Sequence, residues 1–355
     1  MKKLILLLFL PITALSQNMI PNGGFENTVK NPTTQISSFR PYMFVEDWYP
    51  ASKSLFEFCH PLSKNLRIQK GWENCHYCDK FDAKSGIGYA GLGTYFPSHL
   101  IHHCRSYFQV QLIAPLEKNE IYHFSMWIRT SNYAAKFFTS GIGAYLSDSA
   151  FYFTHKDLAE HLYTNVPAQI YCDSIISNTT EWKKIESYYL AKGNENYLTI
   201  GNFFSDTTIK IKENKELIPH WSIIDKGYVF LDDIVLEKKN PFSELFTNRN
   251  IELQDINFKI GKETLEDKSK PILKLFAEFL KNNPDTSIEI VGHTDNTGET
   301  IDNLILSKKR TKAIEEFLLQ EGVKNKLVAI GKGDSTPIAD NKSKEGRQKN
   351  RRVEI

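Results

Sequence analysis

The sequence predicts two folded units, an all-β sandwich or barrel followed by a small α+β unit. Three observations carry this reading. The 355 residues exceed the roughly 150 of one ordinary domain. Composition breaks near Lys238-Lys239-Asn240-Pro241: all five Trp, all sixteen Tyr and all five Cys precede it, and only four Phe follow residue 250. The hydrophobic period changes at the same place, from a two-residue alternation to a helical repeat of about 3.6 residues.

The chain opens with Lys2 and Lys3, the apolar run Leu4 to Leu10, then Pro11 and Thr13-Ala14-Leu15-Ser16. A basic start, a short apolar stretch and small residues read as a secretory signal over residues 1–16. The apolar run is too short to cross a bilayer, which takes about 20 residues. No later segment is a transmembrane candidate, and no Cys follows the run to carry a lipid. The expected product is exported to the periplasm, soluble or held at a surface by contacts. Lys and Arg total 44 against 42 Asp and Glu, a balance that gives no electrostatic case for nucleic acid.

Residues 17–239 read as β-sheet. Tyr122, Phe124, Met126 and Ile128 alternate with His123, Ser125, Trp127 and Arg129, the period of a half-buried strand. Similar runs occupy 107–112, 142–146, 182–190, 197–200 and 228–236, separated by turns rich in Gly, Asn, Asp and Pro. A membrane barrel is disfavoured, because scattered Cys, His and Lys and irregular spacing do not make repeated ten-residue lipid-facing strands. Cys59, Cys75, Cys78, Cys104 and Cys172 all lie here. In an exported chain they read as disulfides with one thiol left over. Zinc is the alternative, because His60, His76, His102 and His103 adjoin them and Cys75-His-Tyr-Cys78 has ligand spacing.

Residues 240–250 read as a linker whose Phe242 and Phe246 can pack on either neighbour. Residues 251–355 then give a strand at Ile256 to Ile260, a helix from Lys268 to Asn282 ended by Asn283-Pro284, and a strand from Ser287 to Val291. The turn Gly292 to Thr300 leads to a helix from Asp302 to Glu321 stopped by Gly322, and strands follow at 327–330 and 352–355. The order β-α-β-α-β-β makes a small sheet with two helices over one face. At about 100° per residue, Leu306, Ala313, Ile314 and Phe317 of the second helix share a stripe with Arg310 in its middle. Asn303 lies on the same face as Arg310, two turns earlier. Asp295, in the loop before that helix, supplies the opposite charge, and together they frame a shallow pocket.

Gly292-His-Thr-Asp295, Asn303-Leu-Ile-Leu-Ser307-Lys-Lys-Arg310, Gly331-Lys-Gly333, Pro337 and Asn350-Arg-Arg-Val-Glu354 resemble, in order and spacing, the OmpA-like carboxyl-terminal domain of Gram-negative envelope proteins. The resemblance covers residues 251–355. It implies non-covalent binding of peptidoglycan through the diaminopimelate of the stem peptide, with the carboxylate role on Asp295, the guanidinium role on Arg310, and Thr294 and Asn303 beside them. Thr311 departs from the family, which usually has Ala there. The chemistry fits: diaminopimelate ends in an ammonium and a carboxylate on one carbon, matching Asp295 and the planar Arg310 fork. The alternative is an Asp295 to Arg310 salt bridge that only tethers loop to helix.

His293 reads as a packing residue rather than an acid or base, and the basic run Lys342 to Arg352 as a solvated edge. More loosely, Pro21-Asn-Gly-Gly-Phe-Glu26, Gly86-Ile-Gly-Tyr-Ala-Gly-Leu92 and Tyr228-Val-Phe-Leu-Asp-Asp-Ile-Val235 resemble galactose-binding-like jelly rolls. That resemblance implies a structural calcium with Glu26 and Asp233 as ligands and a glycan as partner; contact with an outer-membrane or surface protein is the other expectation for the first unit. No other cofactor is required. The expected function is a non-enzymatic tether between an outer-membrane or surface assembly and the wall. A wall- or glycan-modifying enzyme localised by its tail is the rival, although no nucleophile elbow or His-Glu-x-x-His occurs.

Overall fold

The computed structural model describes residues 17–29, 45–51, 57–59, 83–95, 105–132, 135–151, 168–216, 226–243, 245, 251–253, 256–259 and 261–355. The expected signal at 1–16, Cys75, Cys78, Cys104, Phe246 and the four histidines beside the cysteines lie outside these residues. The chain divides after Lys239, and each unit is taken by itself. Among the described residues no helix is long and apolar enough to cross a membrane.

The first unit contains β1 (Trp48–Pro50), β2 (Glu57–Cys59), β3 (Tyr89–Tyr95), β4 (Phe108–Gln111), β5 (Ile121–Thr130) and β6 (Phe137–Thr139). It continues with β7 (Ile142–Ser147), β8 (Ile170–Tyr171), β9 (Lys183–Leu190), β10 (Tyr197–Asn202), β11 (Ile211–Glu213) and β12 (Gly227–Lys238). One sheet runs β1-β4-β10-β7-β8, and the other runs β11-β6-β12-β3-β2 with β5 joining β12 to β9. Trp48, Phe108, Val110 and Ile200 of the first sheet and Leu92, Phe124, Met126 and Leu231 of the second belong to one buried cluster. The two sheets therefore share a core, each such side chain stabilising it by about 1.5–3 kcal/mol. One expectation is corrected: β5 is not half-buried. It pairs with β12 on one edge and β9 on the other, and His123, Ser125 and Arg129 are buried along with the apolar set.

In the second unit, Phe242 is buried against Phe276 and Phe279, with ring centroids 4.9 and 5.2 Å away. The expected linker thus begins as part of this unit's core. The helix α1 (Lys270–Asn282) buries Leu273, Phe276, Ala277 and Leu280. It is followed by β13 (Ile288–His293), α2 (Thr300–Gln320), β14 (Leu327–Gly333), the short α3 (Lys344–Asn350) and β15 (Val353–Glu354). The sheet order is β14-β13-β15, parallel and then antiparallel. The strand expected at 256–260 does not join it. Phe258 instead bridges Leu265 across a turn at Gly261, while residues 251–253 bond to 353–355, Leu253 N–H donating to Val353 O at 3.0 Å. The basic run stays largely exposed, and part of it is helical: Ser343 Oγ accepts from Gly346 N at 2.9 Å and caps α3.

The core-facing side of α2 differs from the expected stripe. Asn303, Ser307, Thr311, Ile314 and Leu318 are buried, about a quarter turn round the helix from Leu306, Ala313 and Phe317, which are half-buried. The cause is in the sheet beneath. A Cβ on Gly331 would lie 2.4 Å from Lys308 N, and one on Gly292 would lie 2.7 Å from Thr311 Cγ2. Helix backbone rests directly on strand backbone there, so only short side chains fit between them. Thr311 is accommodated as a back-bonded residue, its hydroxyl donating to Lys308 O at 3.0 Å.

Candidate functional site

The site forms where β13 ends and the chain turns toward α2. Asp295 Oδ1 accepts from Thr297 N at 2.9 Å, an Asx turn that fixes the carboxylate at the mouth of the loop. Its Oδ2 accepts from Arg351 Nη1 at 2.5 Å. Asp295 is only 8% exposed. Burial pushes its carboxyl up, but the hydrogen bonds from Arg351 and Thr297 and the Arg351 charge outweigh this and hold it below 3.8.

Arg310 approaches from α2. Its Nε donates to Lys262 O at 3.1 Å, and its guanidinium carbon lies 5.0 Å from the centre of the Phe258 ring. These contacts orient the fork without using its two terminal nitrogens, which make no hydrogen bond among the described residues. Burial, and then the neighbouring Arg351 charge, press the Arg310 pKa below its ordinary value, although a guanidinium remains protonated throughout the physiological range. Asp295 and Arg310 are not paired with each other. The tethering salt bridge weighed as the alternative is therefore absent, because Arg351 has taken Asp295.

Thr294 and Asn303 complete the constellation. Thr294 N donates to Gly333 O at 2.9 Å, and a Cβ on Gly333 would lie 3.1 Å from the carbonyl carbon of Asn303. Both residues are 5% exposed, and among the described residues neither Thr294 Oγ1 nor Asn303 Nδ2 has a hydrogen-bond partner. An unpaired buried polar group costs about 1–3 kcal/mol. All four expected residues thus lie in one neighbourhood. Arg351 was missed as a participant, having been read as one charge in a basic run. Its position depends on buried Asn350, whose Oδ1 accepts from Ile338 N and Ala339 N at 2.8 and 2.9 Å.

Residues 257–351 match the model of the OmpA family. Those residues are an OmpA family domain. The chain is 41% identical over 102 residues to outer membrane porin F of Pseudomonas aeruginosa, covering 28% of this chain and 29% of that protein. It is 46% identical over 85 residues to the peptidoglycan-binding protein ArfA of Mycobacterium tuberculosis, covering 24% of this chain and 26% of that protein. These matches span less than a third of the relatives' own length. Among solved structures, the peptidoglycan-associated lipoprotein from Burkholderia pseudomallei aligns at 26% identity over 32% of this chain and 96% of that one, with a TM-score of 0.28.

His293 lies outside this constellation as a packing residue. It is buried, shares a 2.9 Å hydrogen bond with Thr336 Oγ1, and has its pKa lowered by burial and then by Arg352.

In the first unit, Glu26 and Asp233, the expected calcium ligands, both bond to the turn at 84–88. Glu26 Oε1 accepts from Ile87 N and Gly88 N, both at 2.9 Å, and Asp233 Oδ1 accepts from Ser85 Oγ at 2.6 Å. These carboxylates fasten the turn at 84–88, and among the described residues no group of three or more His, Cys, Asp or Glu is arranged to hold a metal. Two carboxylates so engaged do not fit a calcium shell of six to eight oxygens. Cys59 is buried and disulfide-bonded, whereas Cys172 is a free thiol.

Beside them, Asp232 is fully buried and accepts from Lys84 N at 2.7 Å and Asp233 N at 2.7 Å. Burial dominates these bonds and pushes its carboxyl up to about 7. A raised carboxyl binds its proton more tightly in the folded state, so its stabilising effect is complete below the ordinary 3.8 and is lost as pH rises through about 7. Calorimetry is expected to show the first unit's melting temperature falling across that interval, by an amount reflecting a few kcal/mol. The Asp232→Asn variant, which cannot titrate, is expected to lose this slope.

Proposed function

We propose that this is a non-enzymatic envelope protein that binds peptidoglycan non-covalently through the diaminopimelate of the stem peptide. It would tether an outer-membrane or surface assembly, held by the first unit, to the wall from the periplasmic side. The observation that carries this is the presence, in one neighbourhood of an OmpA family domain, of an ionised carboxylate at Asp295 and a guanidinium at Arg310 whose fork is unused. The diaminopimelate carboxylate takes the two-pronged contact from Arg310, and its ammonium approaches Asp295, sharing that carboxylate with Arg351. Thr294 and Asn303 stand beside this pair as buried polar neighbours. The relative named for peptidoglycan binding supports the same ligand class. A binding role also suits the electrostatics, because Asp295 is held ionised instead of being poised to exchange a proton near neutrality.

Sedimentation of the protein with purified sacculi tests the reading. Retention is expected on diaminopimelate-type wall and weak retention on lysine-type wall, which lacks the second carboxylate. Equal retention on both overturns the diaminopimelate assignment, and none on either overturns wall binding. Because the Asp295 pKa is depressed, the charge it contributes is present above 3.8 and lost only as pH falls through the lower folded value. Retention is therefore expected to stay level between about pH 5 and pH 8 and to fall only in stronger acid, below the ordinary carboxylate value of 3.8. A decline centred near pH 6 to 7 would assign the binding to a histidine instead.

A further inference from the structure

The edge of the sheet in the second unit carries a groove that the wall-binding reading does not use. It lies between α2 and β14 and is lined by Ile305, Lys308, Lys309, Lys312, Leu327 and Ala329, with Val328 and Glu315 at its margin. β14 is the end strand of its sheet. Ile288 lies opposite Leu327, and Ile288 N–H donates to Lys326 O at 2.9 Å. In a parallel ladder this register turns the even-numbered residues of β14 toward β13. The N–H and C=O groups of Leu327, Ala329 and Gly331 consequently point to the open edge.

Charge selects the occupant. Lys312 is paired with Glu315 at 2.5 Å, while Lys308 and Lys309 are exposed and have no acidic partner among the described residues. A second copy of the chain docked edge to edge would set its own three lysines against these, so self-association is disfavoured. An extended acidic segment meets both requirements. Its backbone pairs with Leu327 and Ala329, its carboxylates lie under the lysines of α2, and its alternate side chains lie beside Val328, which is 38% exposed, and Ile330. Ile305, 48% exposed, and Ile301, 72% exposed one turn earlier, extend the apolar border.

We propose that this groove is a docking site for an extended acidic peptide segment of a partner protein, added as a further strand on the β14 edge. The test uses the full chain and a fluorescein-labelled peptide of alternating glutamate and valine, read by fluorescence anisotropy. Saturable binding that weakens with salt is expected, with none for the matching lysine and valine peptide. The double variant Lys308→Glu, Lys309→Glu is expected to weaken binding about tenfold or more. Ala329→Pro removes one outward N–H while leaving the β13 ladder bonds in place, and is expected to weaken binding to a similar degree. A thermal melt checks each variant, and the lysine pair decides the matter if the proline variant is unfolded. Failure of the peptide to bind, or binding unchanged in the folded variants, overturns the proposal. So does lysine-dependent binding to phosphatidylglycerol vesicles that leaves the peptide unbound, which assigns the face to a membrane surface. If the wild type binds no peptide and the double variant dimerises, the lysines serve only to keep a bare strand edge from self-pairing.

Discussion

Arg310→Ala is expected to abolish retention on diaminopimelate-type peptidoglycan while the fold survives. The two consequences separate because Arg310 contributes little to stability: one hydrogen bond to Lys262 O and one ring contact with Phe258. Its role in binding is larger. A desolvated, hydrogen-bonded charge pair that loses one member typically costs about 2–5 kcal/mol, roughly a 30- to several-thousand-fold loss of affinity. Arg310→Lys separates charge from geometry, since lysine keeps the positive charge but cannot present two parallel donors to a carboxylate. The lysine variant is expected to bind more weakly than wild type and better than alanine, with a melting temperature close to that of the wild type in both. Wild-type affinity in a folded alanine variant would remove Arg310 from the site. Full rescue by lysine would mean that charge alone matters.

Gly331→Val is expected to be the most damaging single substitution in the second unit. A Cβ there would lie 2.4 Å from Lys308 N, 2.7 Å from Lys308 Cα and 2.7 Å from Ser307 Oγ. Two of those atoms are helix backbone, so no side-chain rotation relieves the overlap, and α2 must lift from the sheet. Overpacking of this kind costs about 3 kcal/mol or more, equivalent to a fall of about 10–20 °C for a unit of this size. Gly298→Ala serves as a contrast. Nothing lies within 4 Å of its Cβ, so only its positive φ of 94° opposes the change, at about 1 kcal/mol. Similar melting temperatures for the two variants would contradict the close approach of α2 to β14.

The same close approach explains what sequence could and could not reveal. The proximity of Asp295, Arg310, Asn303 and Thr294 follows from a loop motif and a helix motif in a fixed order. The docking face of α2 was not legible in this way. Periodicity weights large apolar residues, so Leu306, Ala313 and Phe317 outweighed Asn303, Ser307 and Thr311, yet Gly292 and Gly331 make the short residues the ones that fit. Arg351 was hidden for another reason. Nothing in a basic run tells which member meets the carboxylate, and the bonds of Asn350 to residues 338 and 339 appear only once the loop closes. In the first unit, long strands such as β5 and β12 carried enough alternation to be found. The two- and three-residue strands β1, β2, β6, β8 and β11 are too short to express a period. Glu26 and Asp233, far apart in sequence, come together at the 84–88 turn, whose amides and hydroxyl donate to them.

The pairing of Asp295 and Arg310 around one ligand is tested most directly by titrating free meso-diaminopimelate into the isotope-labelled protein and following its backbone and arginine side-chain resonances. Saturable shifts are predicted at Thr294, Asp295, Asn303, the Arg310 guanidinium and Arg351, absent in Arg310→Ala and much reduced with lysine as ligand. Shifts confined to other surfaces, or equal responses to lysine and diaminopimelate, would contradict the account.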